Sequence, residues 1–183
     1  MWNGLRSLGP VAVFISGGGS TLQALLEMHH QIDISLVVTN KKTAIGNLKA
    51  KRFGKNILYF SSPIDFMSLH KALLDNKIKH IILAGFMKIL PPDFVKLWKD
   101  RIINIHPSLL PHYPGLNSAQ KSWDDNAAMG VTLHTVVEQM DAGEIKFQQK
   151  SLDNPKNLIF DEANLFLRRT EQYLLREFTI RCL

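Results

Sequence analysis

Five short apolar runs, Val11 to Ile15, Ile34 to Thr39, Ile57 to Phe60, His80 to Ala84 and Arg101 to His106, punctuate the first 106 residues at near-regular intervals. Val11-Ala12-Val13-Phe14-Ile15 is continuously apolar between Pro10 and a run of glycines, the pattern of a strand buried on both faces. Helix-length segments separate the runs. The first, Ser20 to His29, places Leu22, Leu25 and Leu26 at helical spacing, and Ala44 to Phe53, Ile64 to Asn76 and a short piece from Pro91 to Trp98 follow. Strands that alternate with helices of this length form βαβ units, so the chain is expected to build a mainly parallel central sheet flanked by helices, a Rossmann-like α/β fold.

Beyond Gly115 the alternation stops. Gly130 to Val137 and Glu144 to Ser151 are two β-type runs joined by a turn at Met140 to Gly143, too short for a helical crossover, so they should pair locally or antiparallel. Lys156 to Phe178 reads as a closing amphipathic helix with Leu158, Ile159, Leu165, Leu167, Leu174, Leu175 and Phe178 available for burial. With 183 residues and no repeat or linker, residues 1–183 are expected to form one domain. A lone cysteine, Cys182, fits a reducing compartment and offers neither a disulfide nor a C-x-x-C metal site. Val11 to Ile15 is too short for a secretory signal, and nothing approaches the roughly 20 apolar residues of a membrane span, so a cytoplasmic location is expected. The net charge of +6 is scattered, as on a solvated lysine-rich surface or one that attracts a small anionic substrate. No basic stripe interleaved with aromatics suggests nucleic acid.

Chemistry concentrates in Asn104 to Gly115, N-I-H-P-S-L-L-P-H-Y-P-G. Alternation along a strand puts Asn104 and His106 on one side and Ile105 on the other. Pro107 cannot donate to a central ladder, so the strand should end at His106 and leave the pair at the sheet edge where open α/β sheets bind ligands. An amide and a protonated imidazole there can stabilise an oxygen that turns negative as a carbonyl is attacked, which suggests acyl transfer. Taken singly, Asn104 as a loop cap and His106 as a satisfied strand-end histidine explain the same letters.

Four other stretches bear on function. Ser16-Gly17-Gly18-Gly19-Ser20-Thr21 lies between the first strand and helix, where backbone N–H groups and the helix dipole favour a phosphate; a tight turn with Ser20 as N-cap is the plainer alternative. It is not a dinucleotide fingerprint, because position 22 is Leu and the second strand ends in Thr39-Asn40 without an acidic residue. Phe86, Met87, Ile89 and Leu90 follow the fourth strand and can line a cleft for a flat heterocycle or simply pack in the core. His134 lies in a β-type run, either facing the same site or filling a half-buried position. Arg168 and Glu171 sit at i and i+3 on the last helix, as a surface pair would.

The string I-N-I-H-P-S-L-L-P-x-Y-P-G resembles the signature of the folate-dependent formyltransferases. The likeness extends through I-S-G-G-G-S at Ile15 to Ser20, A-G-F-M-K-I-L at Ala84 to Leu90, G-V-T-L-H at Gly130 to His134 and M-D-A-G at Met140 to Gly143. It implies the formyltransferase fold, with a nucleotide-phosphate half over about residues 1–100 and a folate and catalytic half over about 84–183. The resemblance makes Asn104, His106 and Asp141 the catalytic set, with His134 in support. It assigns Gly18, Gly19, Ser20, Thr21, Arg168 and Glu171 to the ribonucleotide, and Phe86, Met87, Lys88, Ile89, Leu90, Asn104, Glu138 and Asp141 to the folate. Several positions depart from the family pattern. Thr21 stands where Asn is usual and Lys88 where Arg is common. Leu116 to Gln120 lacks histidines that some members carry, and no further strand follows before Leu183.

The implied reaction moves a formyl group from 10-formyltetrahydrofolate, as co-substrate, to the amino group of glycinamide ribonucleotide in purine biosynthesis. No metal is expected. The partners are small molecules, not nucleic acid or membrane, acting on a monomer or homodimer. Another folate-dependent formyltransferase, a formyltetrahydrofolate deformylase and a non-catalytic folate- or nucleotide-binding module are the competing readings.

Overall fold

Each apolar run up to His106 becomes a strand, because β-branched and aromatic residues without helical spacing bury best on a pleated surface. The computed structural model describes residues 9–28 and 30–181. In chain order the elements are β1 (Val11–Ile15), α1 (Ser20–Glu27), β2 (Ile34–Thr39), α2 (Ile45–Arg52), β3 (Asn56–Tyr59), α3 (Phe66–Asp75), β4 (His80–Leu83), α4 (Pro92–Leu97) and β5 (Ile102–His106). They continue with α5 (Ser118–Asp124), β6 (Met129–Thr135), β7 (Ile145–Leu152) and α6 (Phe160–Arg181). His29, expected to close the first helix, and Cys182 lie outside the described residues.

The strands form one seven-stranded sheet in the order β3-β2-β1-β4-β5-β6-β7. β3 through β5 pair in parallel, while β6 runs antiparallel to both β5 and β7, as the short turn between the last two strands requires. Because β1, β4 and β5 are parallel neighbours, the loops that follow them emerge at one sheet edge. Two apolar layers sandwich the sheet. Leu22, Leu25 and Leu26 of α1, Ala50 of α2 and Leu167, Leu174, Leu175 and Phe178 of α6 pack on one face. Leu69 and Leu73 of α3 and Phe94, Val95 and Trp98 at α4 pack on the other.

Three expectations need correction. The final helix begins at Phe160, not Lys156, after a 3-10 turn at Pro155–Asn157. Pro155 favours that turn, and the Glu162 carboxylate then accepts the Ile159 N–H at the new start. Leu165 and Ile159 are exposed. The buried stripe follows Ala163, Leu167, Leu174 and Phe178, and Leu165, two residues from either Ala163 or Leu167, points to the opposite side. Finally, α5 is a helix the sequence reading does not contain: its fully buried residues are Ser118 and Ser122, and its apolar side is a single i, i+4 pair, Ala119 and Trp123, packed against the core. Trp123 fastens this helix, its indole N–H donating to the Pro155 and Leu158 carbonyls at 3.2 and 3.1 Å.

Candidate active site

β5 stops at His106, where Pro107 removes the next backbone donor. In the antiparallel ladder Asn104 faces His134 and His106 faces Thr132, and opposed residues share a sheet face. Asn104, His106, Thr132 and His134 therefore form a polar square, while Ile103, Ile105, Val131 and Leu133 fill the opposite face. The square is roofed by two loops.

The first loop is the proline-rich segment after β5. Thr132 Oγ1 donates to the Ser108 carbonyl at 2.7 Å and accepts the Leu110 N–H at 3.1 Å. Gln148 reaches across from β7 and donates to the Leu110 carbonyl at 2.9 Å. The Ser108 hydroxyl donates to the His112 carbonyl at 2.7 Å, which closes the loop on itself. His106 Nε2 lies 2.9 Å from the Tyr113 carbonyl oxygen. A carbonyl only accepts, so Nε2 carries a hydrogen there.

Val136 to Gly143 forms the second roof. Thr135 N–H donates to the Glu144 carbonyl and Glu144 N–H to the Thr135 hydroxyl, both at 3.0 Å, drawing the turn shut at its base. Gly143 has no substitute in this arrangement, because a Cβ would stand 1.7 Å from the Thr135 carbonyl oxygen. Asp141 adopts a left-handed backbone, φ 52°, a conformation Asp tolerates better than most residues.

That backbone turns its carboxylate inward. One oxygen accepts the Gly115 N–H at 2.7 Å and stands 3.5 Å from His106 Nδ1. The other stands 3.5 Å from His134 Nε2. Hydrogen bonding with His134 is the main influence that holds the Asp141 carboxyl down at about 2; the Gly115 N–H and the charges of His106 and His134 add to it, against burial. His134 completes the circuit: its Nδ1 donates to the Thr135 carbonyl at 2.8 Å, and its Nε2 is 3.2 Å from Asn104 Nδ2. An Nε2 that accepts the Asn104 amide cannot also donate to Asp141, so the two contacts compete for one nitrogen.

At the neighbouring edge, α1 starts with Gly19 at its N-cap in the left-handed region, φ 64°, and without a side-chain cap. Ser20 thus occupies the first turn and is not the cap. A Cβ on Gly19 would meet the Gly46 Cα at 2.7 Å, so the loop and α2 touch backbone to backbone. Lys49 donates to the Gly19 carbonyl at 3.1 Å. Thr21 donates from its hydroxyl to Glu171 at 3.2 Å, joining α1 to α6. Burial pushes the Glu171 carboxyl up to about 7, against the Thr21 hydrogen bond and the Arg168 charge. The i, i+3 pair is therefore no free surface pair, since Glu171 is half-buried beside the glycine loop.

The segment after β4 divides. Phe86 packs edge-on against Phe14, ring centroids 5.3 Å apart, and Leu90 is 8% exposed within the α3/α4 layer. Met87 at 68% and Ile89 at 78% project outward, with Lys88 exposed between them. Glu138 is exposed in the second roof loop, 3.7 Å from Lys96 of α4. Thr132, Ser108 and Gln148 were not singled out from the sequence. Thr132 was within reach of that reading, because it stands two residues before His134 and so shares its face.

A model of the formyl transferase family matches residues 10–156. The chain is 39% identical over 155 residues to the human trifunctional purine biosynthetic protein adenosine-3, covering 76% of this chain and 15% of that protein. It therefore spans about 15% of the length of that relative. It is 38% identical to the phosphoribosylglycinamide formyltransferase of Haemophilus influenzae, covering 76% of this chain and 71% of that one. Among solved structures it resembles the phosphoribosylglycinamide formyltransferase of Anaplasma phagocytophilum, with a TM-score of 0.86 and 34% identity, covering 92% of this chain and 83% of the other.

Proposed function

Since this chain belongs to the formyl transferase family, we propose that it transfers the formyl group of 10-formyltetrahydrofolate to the amino group of glycinamide ribonucleotide, a step of de novo purine biosynthesis in the cytoplasm. The observation that carries this reading is the meeting of Asn104, His106, His134 and Asp141, from three separate stretches, at one corner of the sheet. The substrates are divided between two parts of a single domain. The glycine loop Gly18 to Thr21, with Arg168 and Glu171, takes the phosphate and ribose. Phe86 to Leu90, with Glu138, takes the folate.

The amine attacks the formyl carbon, a C–N bond forms and the carbonyl π electrons move to oxygen. Asn104 Nδ2 and the His106 ring donate to that oxyanion. As the intermediate collapses, the C–N10 bond breaks, N10 takes a proton and the former amine gives one up. Asp141 holds His106 and His134 on either side of its carboxylate, so the proton can pass along this chain of groups. His106 Nε2 donates to the Tyr113 carbonyl, and donation to the reacting oxygen requires that this bond be exchanged for the new one. Ionised Asp141, 3.5 Å from His106 Nδ1 and from His134 Nε2, holds the two rings in place and so orients His106 for donation.

Incubating the protein with both substrates and following formyl transfer tests the reading. Glycinamide ribonucleotide should be formylated, and water alone should release formate far more slowly. Equal release of formate with and without the ribonucleotide would replace the transferase by a hydrolase.

A further inference from the structure

Ser16, the last residue before the glycine loop, is 2% exposed and takes no part in the polar square. It nevertheless holds three separate elements. Its hydroxyl donates to the Asn40 side-chain oxygen at the end of β2, 2.7 Å away, and accepts the backbone N–H of Met87 at 2.8 Å. Its own N–H donates to the Gly85 carbonyl at 3.2 Å. Asn40 is itself buried at 8% exposure, so the hydroxyl hydrogen is committed to one acceptor and its lone pair is aimed at Met87.

Gly85 and Met87 bracket a turn that has little else to hold it. Gly85 has φ 73°, a region open mainly to glycine, and Met87, Lys88 and Ile89 project into solvent. Apolar packing fixes Phe86 and Leu90 at either end, while the path of the backbone between them depends on hydrogen bonds. Ser16 supplies the one at Met87 from its hydroxyl and the one at Gly85 from its amide.

We propose that Ser16 is a positioning residue for the folate: its hydroxyl, oriented by Asn40, sets the backbone at Gly85–Met87 in the conformation that receives the heterocycle. This rests on the assignment of Phe86 to Leu90 to folate in the proposed function. The preceding residue of the glycine loop thereby ties the shape of one substrate's subsite to that of the other.

The experiment is steady-state kinetics on the full chain with Ser16→Ala, Ser16→Thr and Ser16→Cys, varying each substrate in turn. Formyl transfer by the parent protein is the first readout, and its absence would sink the functional reading before Ser16 is tested. Given transfer, Ser16→Ala leaves the Met87 N–H and the Asn40 oxygen unsatisfied, and the KM for 10-formyltetrahydrofolate should rise about tenfold with kcat within about threefold. Ser16→Thr retains the hydroxyl and should restore the parent KM, and Ser16→Cys, a weak acceptor, should fall between them. A solely architectural serine would lower the melting temperature and the active fraction but leave the folate KM of the surviving enzyme where it was. That result, or an equal rise in KM for both substrates, overturns the proposal. Should Ser16→Ala not fold, Ser16→Cys decides alone: a folate KM unchanged from the parent refutes positioning, and a rise confined to the folate supports it.

Discussion

The same two strands, β5 and β6, carry opposite contents on their two faces. Ile103, Ile105, Val131 and Leu133 pack beneath α6, while Asn104, His106, Thr132 and His134 stand between them in sequence and face the loops. One face is stabilised by area removed from water and tolerates any well-fitting apolar side chain. The other exists only because each polar group has a partner: Thr132 with the proline-rich loop, His134 with Thr135, His106 with Tyr113, and Asp141 with both imidazoles and Gly115. Alternation thus separates the face that packs the fold from the face proposed for catalysis, within single strands.

If that separation holds, variants on the two faces should fail differently. The largest loss of turnover is expected for His106→Ala and Asp141→Asn, on the order of 100-fold or more in kcat. Their thermal unfolding should still show one cooperative transition. Asp141 adds a signature in acid. Its folded-state carboxyl is held at about 2 against 3.8, so its contribution is present above pH 3.8 and disappears as the pH falls toward 2. Parent and Asp141→Asn should therefore differ by about 2 kcal/mol near neutrality and converge in acid denaturation curves.

Leu133→Ala, one residue away on the apolar face, should do the reverse. Chemical denaturation is expected to show a loss of about 2–5 kcal/mol, with kcat of the folded fraction within about twofold of the parent. A large kcat defect in Leu133→Ala would break the comparison. A smaller effect is expected at the site proposed for the ribonucleotide, where Glu171 ionises near 7, by burial first. Only the carboxylate accepts fully from ribose hydroxyls, so KM for the ribonucleotide should fall several-fold between pH 6 and 8, and Glu171→Gln should flatten that profile. The sign for stability is opposite. A raised carboxyl favours folding below its unfolded value of 4.5, and this contribution is lost as the pH climbs through about 7. The least effect belongs to Thr132→Val, which keeps the shape but breaks the bonds to Ser108, Leu110 and Gln148. A cost of about 1–3 kcal/mol in stability with about a threefold loss of kcat would sharpen the distinction between holding the roof and doing the chemistry.

Much of this was legible in the letters. The period of two in β5 gave the common side of Asn104 and His106, Pro107 gave the end of the strand, and the short turn after β6 gave the antiparallel pairing. What stayed hidden depended on contacts between distant stretches. Ser16 looks like part of a glycine loop until Met87 comes back beside it, 71 residues later. The Thr21 to Glu171 contact spans 150 residues and nothing local announces it. α5 stays hidden because its fully buried residues are serines and its apolar side is only the pair Ala119 and Trp123, and Leu165 is misplaced because leucine alone does not say which side of a helix is covered. Strand geometry alone placed Asn104 beside His106, whereas the loop residues such as Asp141 were reached only through the family resemblance and their contacts only through the fold.

The pair Thr135 and Glu144 draws the second roof loop shut with two hydrogen bonds, and Gly143 sits so tightly against Thr135 that the knot cannot slide. Inside the knot, Val136 still donates its N–H to the Ile102 carbonyl at 2.9 Å and packs on the core, and the residues beyond it are turned away from the ladder. Adding or deleting a residue between Val136 and Asp141 would leave both flanking strands in register and move only the landing point of the carboxylate. On the proposed mechanism, the span of that lasso is a dial for reactivity that evolution or an engineer can turn while the framework stays fixed.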